Sequence, residues 1–395
     1  MNEKTKRIAG LGAGHGAVDF YIPVIPALLP SLIPLFAEQG ITSYAMTALL
    51  FTTVTVMMVI FQPLSGWLID KNKWTPGTSL CVVLTAVSIA LFGVTQNYWI
   101  LLLFAMVLGF ANSAYHPNAY QQIHQFTTQA NRGTFMALMS VGGTFGYGAA
   151  PLVTGAVFAW GGWPALLWLL VPGLIVAICI RRLPQHPLPT EPRGAAASES
   201  ADVKPHWGSA GIVLAISSIR SWVYYGFIAF GVVYLTKYSG VEYVLATAVV
   251  SCMIFAGMFG TLTAGPLSDK IGRKEVMFAA YIGGAVCYAG VFLLSGVWSV
   301  IALAGAGFFM MATASVEIAT VQELMPGSVG FASGIVIGIP QGMAAVSIVV
   351  VGVLADMIGM PTALFIQVFL MIAAIVLCAA LPYPLKLFGK KKAAA

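Results

Sequence analysis

Charge is scarce in this chain. Asp, Glu, Lys and Arg make up 8% of its 395 residues, against about 25% in soluble domains, which excludes a soluble globular protein. Cysteine is sparse as well: Cys81, Cys179, Cys252, Cys287 and Cys378 stand singly inside apolar runs. That spacing offers neither a disulfide framework nor a metal motif, so no metal is expected, and the cysteines read as filler between packed helices. No GxxxxGK(S/T) loop occurs, so nothing points to ATP as the energy source. No nucleophile–base set stands out, and an enzyme is not expected. Nor is a cleavable leader, because the basic "MNEKTKR" start runs into an apolar segment too long for a signal peptide.

What is abundant is hydrophobicity: 59% of residues are apolar and the mean hydropathy is +0.90. Apolar stretches of about 18 residues or more recur, each long enough to cross a hydrocarbon core of roughly 30 Å. With Gly, Pro and charge as punctuation, twelve spans fall at about 9–36, 43–69, 75–95, 98–124, 133–160, 163–183, 209–236, 242–268, 276–296, 298–322, 329–355 and 361–383. An even count puts both ends on one side. If that side is the cytoplasm, 17 of the 19 Lys and Arg lie inside, Lys237 alone lies outside and Arg220 falls within a span. This asymmetry fixes the orientation by the positive-inside rule. The net charge of +6 therefore reads as membrane anchoring and not as a nucleic-acid surface.

Residues 184–208, beginning "PQHPLPTEPRGAAASES", are rich in Pro, Ala and Ser. They read as a flexible cytoplasmic linker between six-span bundles at 1–183 and 209–395. The halves also repeat. "GWLIDKNK" (66–73) follows span two and "GPLSDKIGRK" (265–274) follows span eight, with Asp70 and Asp269 199 residues apart. The fold expected is all-α: twelve transmembrane helices in a pseudo-twofold 6+6 arrangement, with both termini cytoplasmic. Parallel duplication of this kind is the pattern of two-bundle secondary transporters.

"GPLSDKIGRK" matches the loop signature of the major facilitator superfamily, and the 6+6 plan covers the whole chain. Within that superfamily the sequence resembles the fosmidomycin-resistance group of bacterial exporters. The residues that carry the likeness are "HGAVD" (15–19), "YHPN" (115–118), "GGTFGYGAAP" (142–151) and "QELMPGSVGFASG" (322–334). The first-half loop departs from the signature, with Asn72 and Trp74 where the second half continues Gly272-Arg273.

An ionisable side chain within a span costs about 2.5–3.5 kcal/mol on insertion scales, so it must face protein or a water-filled cavity. Five lie deep: His15 and Asp19 in span one, His116 in span four, Arg220 in span seven and Glu317 in span ten. His15 and Asp19 are four apart and share a helix face. Asp19 and Arg220 are offset by 201 residues, as are His116 and Glu317, which puts each pair at matching depth in the two halves. The resemblance implies that spans one, four, seven and ten line a central cavity, so all five are expected to converge on one water-accessible site.

Asp19, Glu317, His116 and His15 are the expected proton-coupling residues. Arg220 is expected to meet an anionic group or to neutralise Asp19, with Asn112, Tyr115, Asn118, Tyr224, Tyr225 and Gln341 toward substrate. Pro117 removes a backbone hydrogen bond and is expected to bend span four. Asp70, Lys71, Asp269, Arg273 and Lys274 suit latches that form and break at helix ends. Gly142, Gly143, Gly146 and Gly148 in span five, and Gly334, Gly338 and Gly342 in span eleven, recur at helix-packing spacing.

The function expected is secondary active transport by alternating access, as a proton-coupled antiporter of the bacterial inner membrane. No cofactor beyond the proton gradient is expected, and the protein is expected to act as a monomer. The resemblance implies export of a small toxic or antibiotic-like compound, with an anionic, phosphonate-like drug among the candidates. The alternatives are a proton-coupled importer of an organic anion and, more remotely, a transporter-like receptor.

Overall fold

A backbone in hydrocarbon must satisfy its own hydrogen bonds, which leaves the helix as the solution for an apolar chain of this pattern. The computed structural model describes residues 3–70, 77–126, 129–182, 206–325 and 329–383, and among these every regular element is helical. In chain order the α-helices are α1 (Glu3–Phe20), α2 (Val24–Ala37), α3 (Tyr44–Asp70), α4 (Thr78–Ala90), α5 (Tyr98–Phe126), α6 (Gln129–Ala165) and α7 (Leu170–Arg181). They continue as α8 (Trp207–Lys237), α9 (Tyr243–Ile271), α10 (Arg273–Leu293), α11 (Val297–Leu324), α12 (Val329–Ile358), α13 (Met360–Phe365) and α14 (Gln367–Ala380). Ten apolar helical stretches among the described residues are long enough to cross a membrane, and Thr78–Gly93 is a shorter one. Trp99, Trp207 and Trp298 sit exposed in the first turns of α5, α8 and α11, where amphipathic rings meet a membrane–water boundary. Most of the expected linker, Lys71 and the last twelve residues lie outside the described residues, as does the side chain of Asp70.

One break falls inside an expected span and another in the gap between two. Span one is interrupted at Tyr21–Pro23, between α1 and α2; Pro23 lacks an N–H, and Pro26, Pro30 and Pro34 follow. The stretch Leu138–Arg181 is broken at Gly161 and Gly162, whose backbones leave helical geometry. Span four, by contrast, passes through Pro117 as continuous helix; Pro117 packs over Gly66 of α3, 3.7 Å from where a Cβ would stand.

The chain divides into two units. The first comprises residues 1–194, 228–251 and 348–360; the second comprises 195–227, 252–347 and 361–395. Helices α8, α9 and α12 thus contribute to both. In the first unit, Leu11, Val18, Val82, Tyr115, Met139 and Ile180 form part of a buried apolar core shared by α1, α4, α5, α6 and α7. Arg7, expected as a surface anchor, is instead 1% exposed. Its guanidinium donates to the Ile180 carbonyl at 3.0 Å and to Gln122, tying α1 to α7 and α5.

Glycine is required where the two corresponding first helical stretches end. Gly40 and Gly240, 200 residues apart, take φ of +81° and +67°, a region open to glycine at little cost. The following amides, Ile41 and Val241, each turn back to a carbonyl of the preceding helix at 2.9 Å. A third cap comes from far along the chain. The Asp356 carboxylate, near the end of α12, accepts from the Tyr44 N–H at 2.7 Å, the Ala45 N–H at 3.3 Å and the Ser43 hydroxyl at 2.5 Å. These are the free donors at the start of α3.

In the second unit α10 packs on α11 and α14. The Tyr281 hydroxyl oxygen lies 3.2 Å from the Ile216 carbonyl, and the Tyr288 hydroxyl donates to the Leu364 carbonyl at 3.1 Å.

Candidate functional site

The break after α1 leaves Asp19 in the last turn of that helix, beside carbonyls that carry partial negative charge. Its charge must therefore be met by side chains, and three supply that. His15, one turn earlier, brings Nε2 to 3.1 Å from Oδ2. From α5, His116 brings Nε2 to 3.3 Å from Oδ1, and Asn112 donates its amide to the same oxygen at 3.2 Å. The His15 Nδ1–H donates to the Met139 carbonyl of α6 at 2.9 Å. The two imidazoles meet edge-on, with centroids 4.8 Å apart.

Glycine allows this geometry. A Cβ on Gly143 would lie 2.5 Å from His15 Nε2 and 2.8 Å from Asp19 Oδ2, so bare α6 backbone forms one wall of the cluster. A Cβ on Gly16 would likewise lie 2.8 Å from the Gly142 carbonyl oxygen, so α1 and α6 touch backbone to backbone as expected of span five. Span eleven differs. Among the described residues nothing stands within 4 Å of where a Cβ would be on Gly334, Gly338 or Gly342, and no close helix approach is seen at these three.

The ligand atoms of His15, Asp19 and His116 lie within 4.8 Å of one another, a spacing that a metal ion could span and that the sequence did not reveal. His116 Nε2 is 3.0 Å from Asn112 Oδ1, a bond that requires its hydrogen and leaves no lone pair there for a metal.

The second unit holds another buried set. Glu317 is 1% exposed; its Oε2 accepts from Arg220 Nε at 3.1 Å and from the Ser217 hydroxyl at 2.8 Å, and Tyr281 donates to Oε1 at 2.5 Å. Arg220 also points Nη1 at the Met311 sulfur, 3.8 Å away. Within its own unit, the charge partner of Arg220 is thus Glu317. Ser217 and Tyr281 were missed because a neutral hydroxyl in an apolar span is common and carries no signal by itself.

The remaining expected site residues are divided. Asn112 belongs to the Asp19 cluster. Tyr115 is fully buried in the core of the first unit, its hydroxyl donating to the Leu11 carbonyl at 2.6 Å. Asn118 is 1% exposed and accepts from Gln122 at 2.9 Å. Tyr224 is buried against Tyr225, ring centroids 5.5 Å apart, beside Arg220 on α8. Gln341 is half-buried on α12.

At the α9–α10 turn, Arg273 binds Asp269 at 2.7 Å and Glu323 at 3.1 Å, while Lys274 donates to the carbonyls of Ala379 and Leu381 at 2.9 and 2.7 Å. Glu323, unnoticed in the sequence, also accepts from Tyr383. Burial, and then that contact, push the Tyr383 hydroxyl's pKa upward.

A multi-pass helical membrane protein that buries charged clusters inside its helices, one of them at a helix break, has the architecture of a secondary transporter. The chain belongs to the Major Facilitator Superfamily, which it matches over residues 16–336. It is similar to the Fosmidomycin resistance protein of Escherichia coli, at 24% identity over 84% of this chain and 83% of that protein. It is also similar to an uncharacterized MFS-type transporter of Bacillus subtilis, at 25% identity over 89% and 88%. Among solved structures, a bacterial homolog of the human lysosomal transporter Spinster superposes with a TM-score of 0.80 at 16% identity, covering 95% of this chain and 96% of that one. The protein is a transporter and not an enzyme.

Proposed function

We propose that this protein is a proton-coupled antiporter of the cytoplasmic membrane that exports a small anionic compound. The observation that carries the reading is the company of Asp19. Among the described residues its ion-pair partners are two histidines, with no Lys or Arg. With both imidazoles neutral, an ionised Asp19 leaves a net negative charge in a span, which is costly. Uptake of one proton cancels it. Glu317, by contrast, has a permanent cation in Arg220. An anionic substrate would compete with Glu317 for that guanidinium, flanked by Tyr224 and Tyr225, and Glu317 once displaced would take up a proton.

The topology follows the same reading. The 44-residue stretch Leu138–Arg181, at about 1.5 Å per residue, is twice the roughly 30 Å of a hydrocarbon core. Counting it as two, and adding Thr78–Gly93, brings the total to twelve spans. Both ends then share one side, which the Lys and Arg distribution makes the cytoplasm. The halves are 1–183 and 209–395, joined by 184–208.

The name of the E. coli relative supplies the probe. Everted vesicles with an acidified lumen should accumulate fosmidomycin, and Asp19→Asn should lose gradient-driven accumulation while retaining exchange of bound probe. Undiminished drive in that variant would sink the proton role of Asp19. Accumulation by right-side-out vesicles in an acidic medium would favour the importer.

A further inference from the structure

Hydrogen positions in the Asp19 cluster are fixed by which neighbours can only accept. His15 Nδ1 faces a backbone carbonyl, so Nδ1 carries a hydrogen. His15 Nε2 then presents a lone pair to Asp19 Oδ2 unless a further proton is present. A lone pair and a carboxylate oxygen at 3.1 Å repel, and that contact becomes a bond only when one hydrogen sits on either atom.

Asn112 is determined in the same way. One end of its amide faces the Val18 carbonyl at 3.3 Å and Asp19 Oδ1 at 3.2 Å. Both are acceptors, so this end is the NH2 group and the amide oxygen is the end that meets His116. His116 Nε2 therefore faces two acceptors, Asn112 Oδ1 at 3.0 Å and Asp19 Oδ1 at 3.3 Å. It carries a hydrogen and donates. In neutral His116 the lone pair is on Nδ1, the nitrogen that does not face Asp19.

From these contacts we infer that the exchangeable proton resides on the His15 Nε2–Asp19 Oδ2 pair, and that Asn112 is a positioning residue that holds His116 as a donor and keeps it from taking that proton. This rests on the proton-coupled reading above. It moves Asn112 from substrate to site architecture, and makes His15, one of the four residues expected to couple protons, the partner that shares the proton. The other titratable groups around the pair are few. Helix α5 brings Tyr115 and Tyr120, each with its ring centroid 6.4 Å from that of His15. Helix α4 brings Cys81 to the same core, and α6 brings the bare backbone at Gly143. None can replace His15 as the acceptor.

The test needs no substrate for its first part. The full chain, labelled with 15N-histidine and held in lipid nanodiscs, has five histidines, assigned through His15→Gln and His116→Gln. Neutral His116 should give the Nε2–H signature, and His15 should keep Nδ1–H while its Nε2 signal moves with pH. Asn112→Leu should release His116 into a mixture of both tautomers. An Nδ1–H signature for His116 in the unmodified protein would overturn the inference.

The second part uses fosmidomycin in everted vesicles. His116→Gln, which retains an N–H donor, should slow transport severalfold yet keep its pH profile, whereas His15→Gln should flatten that profile. The opposite pattern would also overturn the inference. Failure of the unmodified protein to use the gradient would sink the proton-coupled reading instead, leaving the tautomer assignment to stand or fall by the resonance experiment.

Discussion

Glu317 gathers a guanidinium, a phenol and an alcohol around one carboxylate, and losing its charge would strand Arg220, which is 8% exposed. Breaking a buried ion pair by neutralising one partner costs about 3–5 kcal/mol, whereas replacing both is far milder. Glu317→Gln should therefore lower the melting temperature in detergent clearly, and adding Arg220→Met should restore most of it. Equal melting of the single variant and the unmodified protein would show that the pair does not hold the second unit together. The sequence marked both residues, because an ionisable group at span depth is rare and the 201-residue offsets were plain. It could not choose their partners. Depth along the membrane leaves rotation about each helix axis free, and that rotation decides whether Arg220 meets Asp19 or Glu317. The same ignorance hid Ser217 and Tyr281, and the contact of Gly143 with His15 and Asp19, since these roles come from what the residues touch.

Among the elements, α3 begins on a local cap, the Ser43 hydroxyl on the Met46 N–H, and on a second one from far along the chain. Asp356 serves two of its first N–H groups and the Ser43 hydroxyl, and loss of such a cap costs about 0.5–2 kcal/mol. Asp356→Ala should lower stability by about that much, and speed amide exchange at Tyr44 and Ala45 while leaving the Gly109–Asn112 turn of α5 unaffected. Unchanged exchange at Tyr44 would dismiss the cap. The helices were legible as apolar runs bounded by Gly, Pro and charge. The interruption at Tyr21–Pro23 was not, although Pro23 and Pro26 signalled it, because an unbroken apolar run of that length reads as one span. Pro117 did not end its helix. Its helix continues, since a missing N–H can be tolerated where the ring finds a surface to pack on, here Gly66.

For the whole molecule, the twelve-span plan with cytoplasmic ends makes a labelling prediction. With the five native cysteines replaced, a cysteine at Lys237 should react with an impermeant maleimide on intact cells, and one at Lys270 only after the membrane is opened. The reverse pattern would invert the topology. The family was readable from the second-half loop, "GPLSDKIGRK", whose Asp269 and Arg273 do pair at 2.7 Å. Glu323, the third member of that group, sits 50 residues from Arg273, beyond the reach of any local motif.

The distance from Tyr44 to its cap is 312 residues. At about 5–20 residues per second of synthesis, roughly 15–60 s separate the making of that helix from the making of Asp356. Through that interval the Tyr44 and Ala45 amides lack this partner, and the local cap is the Ser43 hydroxyl, which accepts from the Met46 N–H at 3.3 Å. The start of an early helix is thus completed by a residue made 312 positions later, and a chain cut short before residue 356 would lack that cap however well its earlier helices had inserted.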